Sequence, residues 1–277
     1  METNTRNIHA MKPIMALQPD QALIRVYGDL NDFLPLHVRD TWFVRPCRGR
    51  ETVKNLIETC GVPHPEIGAL LIDGRPVDFD TLVQPGVAIE VFPIASAPET
   101  PIPLRPPLDD RRFVLDTHLG RLAAYLRMLG YDCLYRNDAH DAELARLAHE
   151  ERRILLTRDL GLLKRSIVIH GAFVREVIPL RQIVEVMRRF NLTPAPTVFQ
   201  RCMRCNSLTT PVSKAEIDHL LEPKTRQYFD TFRRCTACGK IYWQGSHYTR
   251  MQALLERALQ EGERHVARSA KRERFEG

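Results

Sequence analysis

The sequence predicts three parts in order: a small α+β unit, an α/β unit with a mainly parallel sheet, and a C-terminal ribbon closed on a metal ion. Three observations carry this prediction. A proline-rich stretch from Pro93 to Asp110 separates two segments that each mix strand and helix patterns. The second segment alternates strands and helices, the order that builds parallel sheets covered by helices. Beyond it, four of the seven cysteines form two C-x-x-C pairs, Cys202 with Cys205 and Cys235 with Cys238.

In the first segment, ALIRVYG (22–28) and TWFVRP (41–46) alternate apolar residues and read as strands. Val53, Leu56, Ile57 and Cys60 recur at helical spacing, and Gly61 and Pro63 stop that helix. ALLIDGRPV (69–77) is a strand running into an Asp-Gly turn, and VAIEVFP (87–93) is a closing strand. Strands around one helix within about 75 residues resemble the β-grasp, or ubiquitin-like, fold, here spanning 21–93. Some β-grasp proteins carry sulfur on a Gly-Gly end. This segment runs into Pro93 instead, so a sulfur-transfer role is set aside and a docking module for a protein partner is expected.

The stretch 94–110 should then be a semi-rigid extended spacer, because its prolines cannot donate hydrogen bonds and hold φ fixed. After it, RRFVLD (111–116) reads as a buried strand. Leu119, Leu122, Ala123, Leu126 and Leu129 form one face of a helix ended by Gly130. DAELARLAHEERR (141–153) is a second amphipathic helix, ILLT (154–157) a strand, SIVIH (166–170) another strand, and PLRQIVEVMRRF (179–190) a helix. This unit spans 111–198, the ribbon 199–250, and a helical, charged tail 251–277.

Two C-x-x-C turns facing each other make a tetrahedral thiolate site with no open position. Cys202, Cys205, Cys235 and Cys238 are therefore expected to hold one structural zinc ion per chain, with His247 a weaker alternative ligand. Losing one of these cysteines, as in Cys205→Ser, should unfold the ribbon and spare most of the sheet. Cys47, Cys60 and Cys133 sit among apolar neighbours and read as small buried hydrophobes. The use of cysteine for metal fits a reducing compartment, and the cytoplasm is expected. No stretch approaches the roughly 18 uninterrupted apolar residues of a membrane span, and no N-terminal apolar core of signal-peptide length is present.

The chain carries a net charge of +6. The excess is concentrated around the cysteines, where residues 199–250 hold nine Lys or Arg against four Asp or Glu. A basic balance of this kind suits a polyanion, nucleic acid above all. Arg201, Arg204, Arg233, Arg234 and Lys240 are the candidate RNA contacts, with Tyr242, Trp243 and Tyr248 able to stack on bases or to fill the ribbon's own core.

A second constellation is acidic. Asp116 follows the strand FVL, and Asp159 follows ILLT within Thr157-Arg158-Asp159. In a parallel sheet both project from the C-terminal edge, where open α/β sheets place ligands. Asp138, Asp141 and Glu143 stand near the start of the second helix. Converging carboxylates repel unless a hard cation such as Mg²⁺ or Mn²⁺ takes their oxygens, and such ions serve phosphodiester cleavage. Each acid could also be a helix cap, an explanation that suits Asp159 less well than Asp116 or Asp141.

Longer motifs sharpen this reading. FVLDxxLGRLAxxLRxLGYD (113–132), RxLLTRD (153–159) and the two C-x-x-C pairs ending in CGKIYWQGSH (238–247) resemble the Mut-seven C-terminal ribonuclease family, with its PIN-like nuclease fold and zinc ribbon. VYGDLNDFLP (26–35), VKNLIE (53–58) and GVPHPE (61–66) are similar to the ubiquitin-like domain that accompanies it. The resemblance covers nearly the whole chain from Gln21 to Met251. It implies a metal-dependent ribonuclease whose active acids are Asp116, Asp159 and either Asp141 or Glu143; on that reading Arg158 sits near the scissile phosphate or is a surface residue. Related nucleases often carry a fourth acid after the T-x-D strand, and Leu160 to Leu163 supplies none. That departure favours the alternative, a non-catalytic factor binding RNA, ribosomal RNA or the ribosome.

Overall fold

The computed structural model describes residues 18–108, 110–193, 200–245, 249 and 252–253. His247, Tyr248, the N-terminal lead-in and nearly all of the 251–277 tail lie outside these residues. Among the described residues the chain forms two compact units. One takes those up to Leu108 together with Leu163–Ile169. The other takes the rest, so the parallel sheet and the cysteine ribbon belong to one body.

The first unit is a five-stranded mixed sheet in the order β2-β1-β5-β3-β4. Its strands are β1 (Gln21–Val26), β2 (Trp42–Pro46), β3 (Ile67–Ile72), β4 (Arg75–Pro76) and β5 (Ala88–Pro93), with α1 (Val53–Thr59) following β2. β1 and β5 pair in parallel, and the other pairings are antiparallel. Period-two alternation sends Ala22, Ile24 and Val26 into the core with Leu56 and Ile57 of α1. The Thr52 hydroxyl accepts from the Asn55 N–H and caps α1. Gly61 ends the helical segment at φ 113°, where a Cβ would stand 2.7 Å from the Phe33 carbonyl oxygen. Asp73 and Gly74 both take positive φ in the β3–β4 turn, as a two-residue hairpin requires.

The proline-rich stretch is not a free spacer. Leu104 packs on the core of the first unit. The Arg105 guanidinium donates to the carbonyls of His64, Pro65 and Ile67. Proline denies the backbone its own ladder, but one half-buried guanidinium with five donors anchors the segment instead.

The second unit contains β6 (Phe113–Leu115), α2 (Gly120–Met128), β7 (Cys133–Tyr135), α3 (Asp141–Glu150), β8 (Ile154–Thr157), α4 (Leu160–Leu163) as far as Leu162, β9 (Gly171–Phe173) and α5 (Pro179–Arg189). The sheet order is β7-β6-β8-β9, and every pairing is parallel. The strand expected at 166–170 is displaced to β9. The ladder with β8 starts at the His170 carbonyl, which accepts from the Leu155 N–H. The preceding residues belong to the first unit, where the Val168 carbonyl meets His64 Nε2 at 2.7 Å.

The edge strand β7 has no strong sequence signature. Its exposed backbone is completed by side chains: the Cys133 N–H donates to Asn206 Oδ1 at 3.0 Å, and Arg127 Nε donates to the Cys133 carbonyl at 2.9 Å. Arg127 also reaches the carbonyls of Met203 and Arg204, inside the first C-x-x-C turn. The ribbon thus closes one edge of the parallel sheet. It contains β10 (Thr209–Val212), α6 (Lys214–Ile217), α7 (Pro223–Tyr228), β11 (Phe232–Cys235) and β12 (Ile241–Trp243), with the antiparallel order β10-β11-β12. Its own apolar core is small: Ile217, Leu221 and Phe232, with Val212, Phe229 and Ile241 at the margin.

Candidate catalytic edge and metal centre

Asp116 and Asp159 leave the C-terminal ends of the neighbouring parallel strands β6 and β8. Asp116 is buried. Its Oδ1 accepts from the Thr117 N–H at 2.6 Å, and its Oδ2 accepts from the Thr157 hydroxyl at 2.8 Å. The same hydroxyl accepts from the Asp159 N–H at 2.9 Å. Thr157 is fully buried, so its Oγ1 is a fixed bridge between the two acidic segments. The turn after Asp116 is held from β7, where the Tyr135 hydroxyl donates to the Thr117 carbonyl at 2.8 Å. Gly120 leaves room for that ring, since a Cβ there would stand 2.7 Å from the Tyr135 oxygen.

Capping explains more of Asp159 than its sequence context suggests. Its Oδ1 accepts from the N–H groups of Gly161 at 2.6 Å and Leu162 at 3.2 Å, at the start of α4. Its carboxylate is exposed. Asp141 opens α3. Glu143 pairs with Arg136 at 2.9 Å, and Arg136 also grips Asp138 at 3.0 Å. Asp138 is held below the usual carboxylate range by that hydrogen bond. Arg158 does not point outward as a free cation: its Nη1 donates to the carbonyls of Val174, Arg175 and Glu176.

Among the described residues, Cys202, Cys205, Cys235 and Cys238 are the one group of three or more His, Cys, Asp or Glu side chains whose ligand atoms lie within 4.8 Å of one another. The carboxylates of Asp116, Asp141 and Asp159 therefore do not stand together as a ready-made ion cage. The cysteines do. Cys202 Sγ lies 3.6 Å from Cys238 Sγ, and Cys205 Sγ lies 3.4 Å from Cys235 Sγ. Zn–S bonds of about 2.3 Å in a tetrahedron call for sulfur separations of about 3.8 Å, so the donor set fits zinc in number, chemistry and spacing. Burial opposes ionisation of Cys205, but hydrogen bonds from the Ser207 backbone and hydroxyl, and from Cys235 and Cys202, bring it down to about 6. Cys238 goes the other way, to about 11. The Lys240 N–H lowers it, while burial and its three thiol neighbours raise it more.

The family model described as the Mut7-C RNAse domain matches residues 111–255, and the Mut7-C ubiquitin model matches residues 20–99. The chain belongs to the Mut7-C RNAse domain family. No curated protein and no solved structure gives a match. The two models divide between the two units: the Mut7-C ubiquitin match falls on the mixed sheet, and the RNAse match takes in the parallel sheet and the ribbon.

Within this Mut7-C domain, the five basic residues singled out from the sequence part company. Arg201 donates to the Gly130 and Asn206 carbonyls and lies 3.5 Å from Asp132, so it fastens the ribbon to the sheet. Arg233 donates to the hydroxyl and carbonyl of Thr209 on the next strand. Arg204, Arg234 and Lys240 are exposed. The sequence reading passed over Thr157 and the role of Tyr242. The first is signalled only by its place in Thr-Arg-Asp. The second donates its hydroxyl to Cys202 Sγ at 3.0 Å, and burial and that contact raise its pKa, keeping it a donor. Outer-shell partners of metal ligands typically contribute 10–100-fold in affinity. Tyr242→Phe is therefore expected to weaken zinc binding about 10-fold, read by competition with a chromogenic chelator; an unchanged affinity would show that the hydroxyl only packs.

Proposed function

We propose that this chain is a metal-dependent ribonuclease that hydrolyses RNA phosphodiesters at the edge bearing Asp116 and Asp159. The observation that carries the reading is the Asp116–Thr157–Asp159 bridge at the C-terminal edge of a parallel sheet, in a chain of the Mut7-C RNAse domain family. Asp116, Asp159 and Asp141 would hold Mg²⁺ or Mn²⁺, since carboxylate oxygens suit hard cations. A bound ion of this kind lowers the pKa of water and neutralises charge on the leaving oxygen. Thr157 fixes Asp116 in its rotamer through Oγ1. Asp159 leaves its Oδ1 on α4, so its second oxygen is the one aimed at a ligand. Asp141 has to swing toward the pair, and Glu143 stays with Arg136. Arg158 positions the 174–176 carbonyls and does not contact phosphate.

In this proposal the four cysteines hold one structural zinc ion, and Arg204, Arg234 and Lys240 contact the RNA backbone, with ribosomal RNA among the candidate substrates. The ubiquitin-like unit would recruit a protein partner, and the thiolate site suits the reducing cytoplasm. The separation of the three carboxylates, and the absence of an acid from Leu160 to Leu163, favour a second reading, an RNA- or ribosome-binding factor without cleavage.

Cleavage of end-labelled structured and unstructured RNAs, with Mn²⁺ or with chelator, separates the two. Asp116→Asn and Asp159→Asn are each expected to lower cleavage about 100-fold or more through loss of metal ligation. Both should leave folding intact, because Asn caps about as well as Asp. Wild-type rates in both variants would overturn the site. Tight RNA binding with no cleavage by the wild-type protein would establish the binding factor.

A further inference from the structure

We infer that Val177 and Ile178, with Leu160, form an aliphatic lip that takes an unpaired base of the RNA beside Asp159, so that the enzyme selects single-stranded over duplex RNA. This rests on the ribonuclease reading. The lip is built from two segments of the second unit. Arg158 and Asp159 lead into Leu160 on one side, and the loop after β9 carries Val177 and Ile178 on the other. The Arg158 guanidinium ties the two together through the carbonyls of Val174, Arg175 and Glu176. Leu160, Val177 and Ile178 are 36, 72 and 49% exposed. Three large aliphatic side chains are thus presented to solvent next to a candidate catalytic acid.

The loop that presents them is held rigidly. Gln182 Nε2 donates to the Glu176 carbonyl at 3.0 Å. Both oxygens of Glu185 accept backbone N–H groups, from Arg175 and Glu176, each at 2.9 Å. Three polar side chains on β8's exit and on α5 therefore fix the backbone of a loop whose tip, Val177, stands exposed. A loop ordered only for folding would turn Val177 inward, where burial is favourable. Ordering it with the apolar tip outward prepares a contact surface without an entropy cost on binding.

The chemistry of the edge selects the occupant. Asp159 stands at its rim, and the exposed Arg181 in the first turn of α5 supplies a positive charge for a phosphate. A phosphodiester delivered to the acids brings its bases within reach of the apolar tip. An unpaired base offers a flat apolar face to such a surface, whereas a duplex keeps those faces stacked inside.

The test uses the full-length, zinc-loaded protein with the double variant V177S/I178S and the single variant Val177→Ser. Fluorescence anisotropy with a labelled 12-nucleotide RNA, alone or annealed to its complement, reads binding, and Mn²⁺-dependent cleavage reads turnover. The double variant is expected to bind the single strand about 10-fold more weakly, a loss of about 1.4 kcal/mol. Its duplex binding should be unchanged, and the single variant should fall between it and wild type. Single-strand binding equal to wild type in both variants overturns the lip and leaves the ribonuclease standing. Equal wild-type affinity for single strand and duplex does the same. A wild-type protein that neither binds nor cleaves either RNA overturns the ribonuclease reading and the lip with it.

Discussion

Stripping the metal from the four cysteines is expected to melt the ribbon and the β7 edge of the parallel sheet together, not the ribbon alone. Structural zinc supplies an apparent ~10–16 kcal/mol in small peptides. The ribbon's core of Ile217, Leu221 and Phe232 is far too small to replace that. The Cys202–Cys205 turn is also an anchor. Its Met203 and Arg204 carbonyls accept from Arg127, and Asn206, one residue on, accepts from the Cys133 N–H. When the turn loosens, the buried Arg127 loses two acceptors and Cys133 loses its edge partner. Each buried polar group left unpaired costs about 1–3 kcal/mol. Hydrogen exchange after chelation should therefore show Cys133, Leu134 and Tyr135 losing protection along with Phe232 to Cys235, while β1 and β5 of the first unit keep theirs. Cys205→Ser should give the same pattern. Protection at β7 that survives chelation would show that the loss stays within the ribbon.

That expectation shows what the sequence could and could not express. Periodic apolar residues made α2, α3 and α5 legible, and the spacing of the cysteines made their cluster legible. β7 was not legible, because three residues, Cys-Leu-Tyr, carry no alternation long enough to register. SIVIH has strand composition, yet Val168 is buried in the first unit and the ladder starts after it. Composition reports that a segment will be buried, not against which partner. The same limit governs the arginines. Arg158, Arg201 and Arg233 look like RNA contacts in a basic region, and each spends its donors on backbone carbonyls that only the fold brings near. Asp159 was the reverse case. Its short helix α4 has too weak a pattern to advertise a cap, although the carboxylate caps it.

The second large effect is expected at Asp132. It lies between Gly130 and Cys133, where the sheet meets the ribbon, and accepts from Arg153 at 2.6 Å and from Asn206 at 3.0 Å. Arg153 is almost fully buried. Its other ion-pair partner, Glu151, is 39% exposed at the side chain. Asp132→Ala leaves that guanidinium half-compensated in the interior. Breaking a buried pair by removing one member costs about 3–5 kcal/mol, and the surviving Glu151 contact puts the expected loss near the lower end, about 3 kcal/mol. Burial alone would raise the Asp132 pKa above its ordinary 3.8. The hydrogen bonds from Arg153 and Asn206 and the charges of Arg153 and Arg201 outweigh it and bring the pKa below that value. A carboxylate depressed on folding contributes stability that is fully present above its unfolded pKa and is lost as pH falls through the folded one. The gap in stability between wild type and Asp132→Ala should thus be constant from neutral pH down to about pH 5 and narrow progressively below about pH 4. Urea unfolding of both proteins at pH 7, 5 and 3.5 reads it. A loss under about 1 kcal/mol at pH 7, or a gap that does not narrow in acid, would mean that Asn206 and Glu151 hold this junction without the Asp132–Arg153 pair.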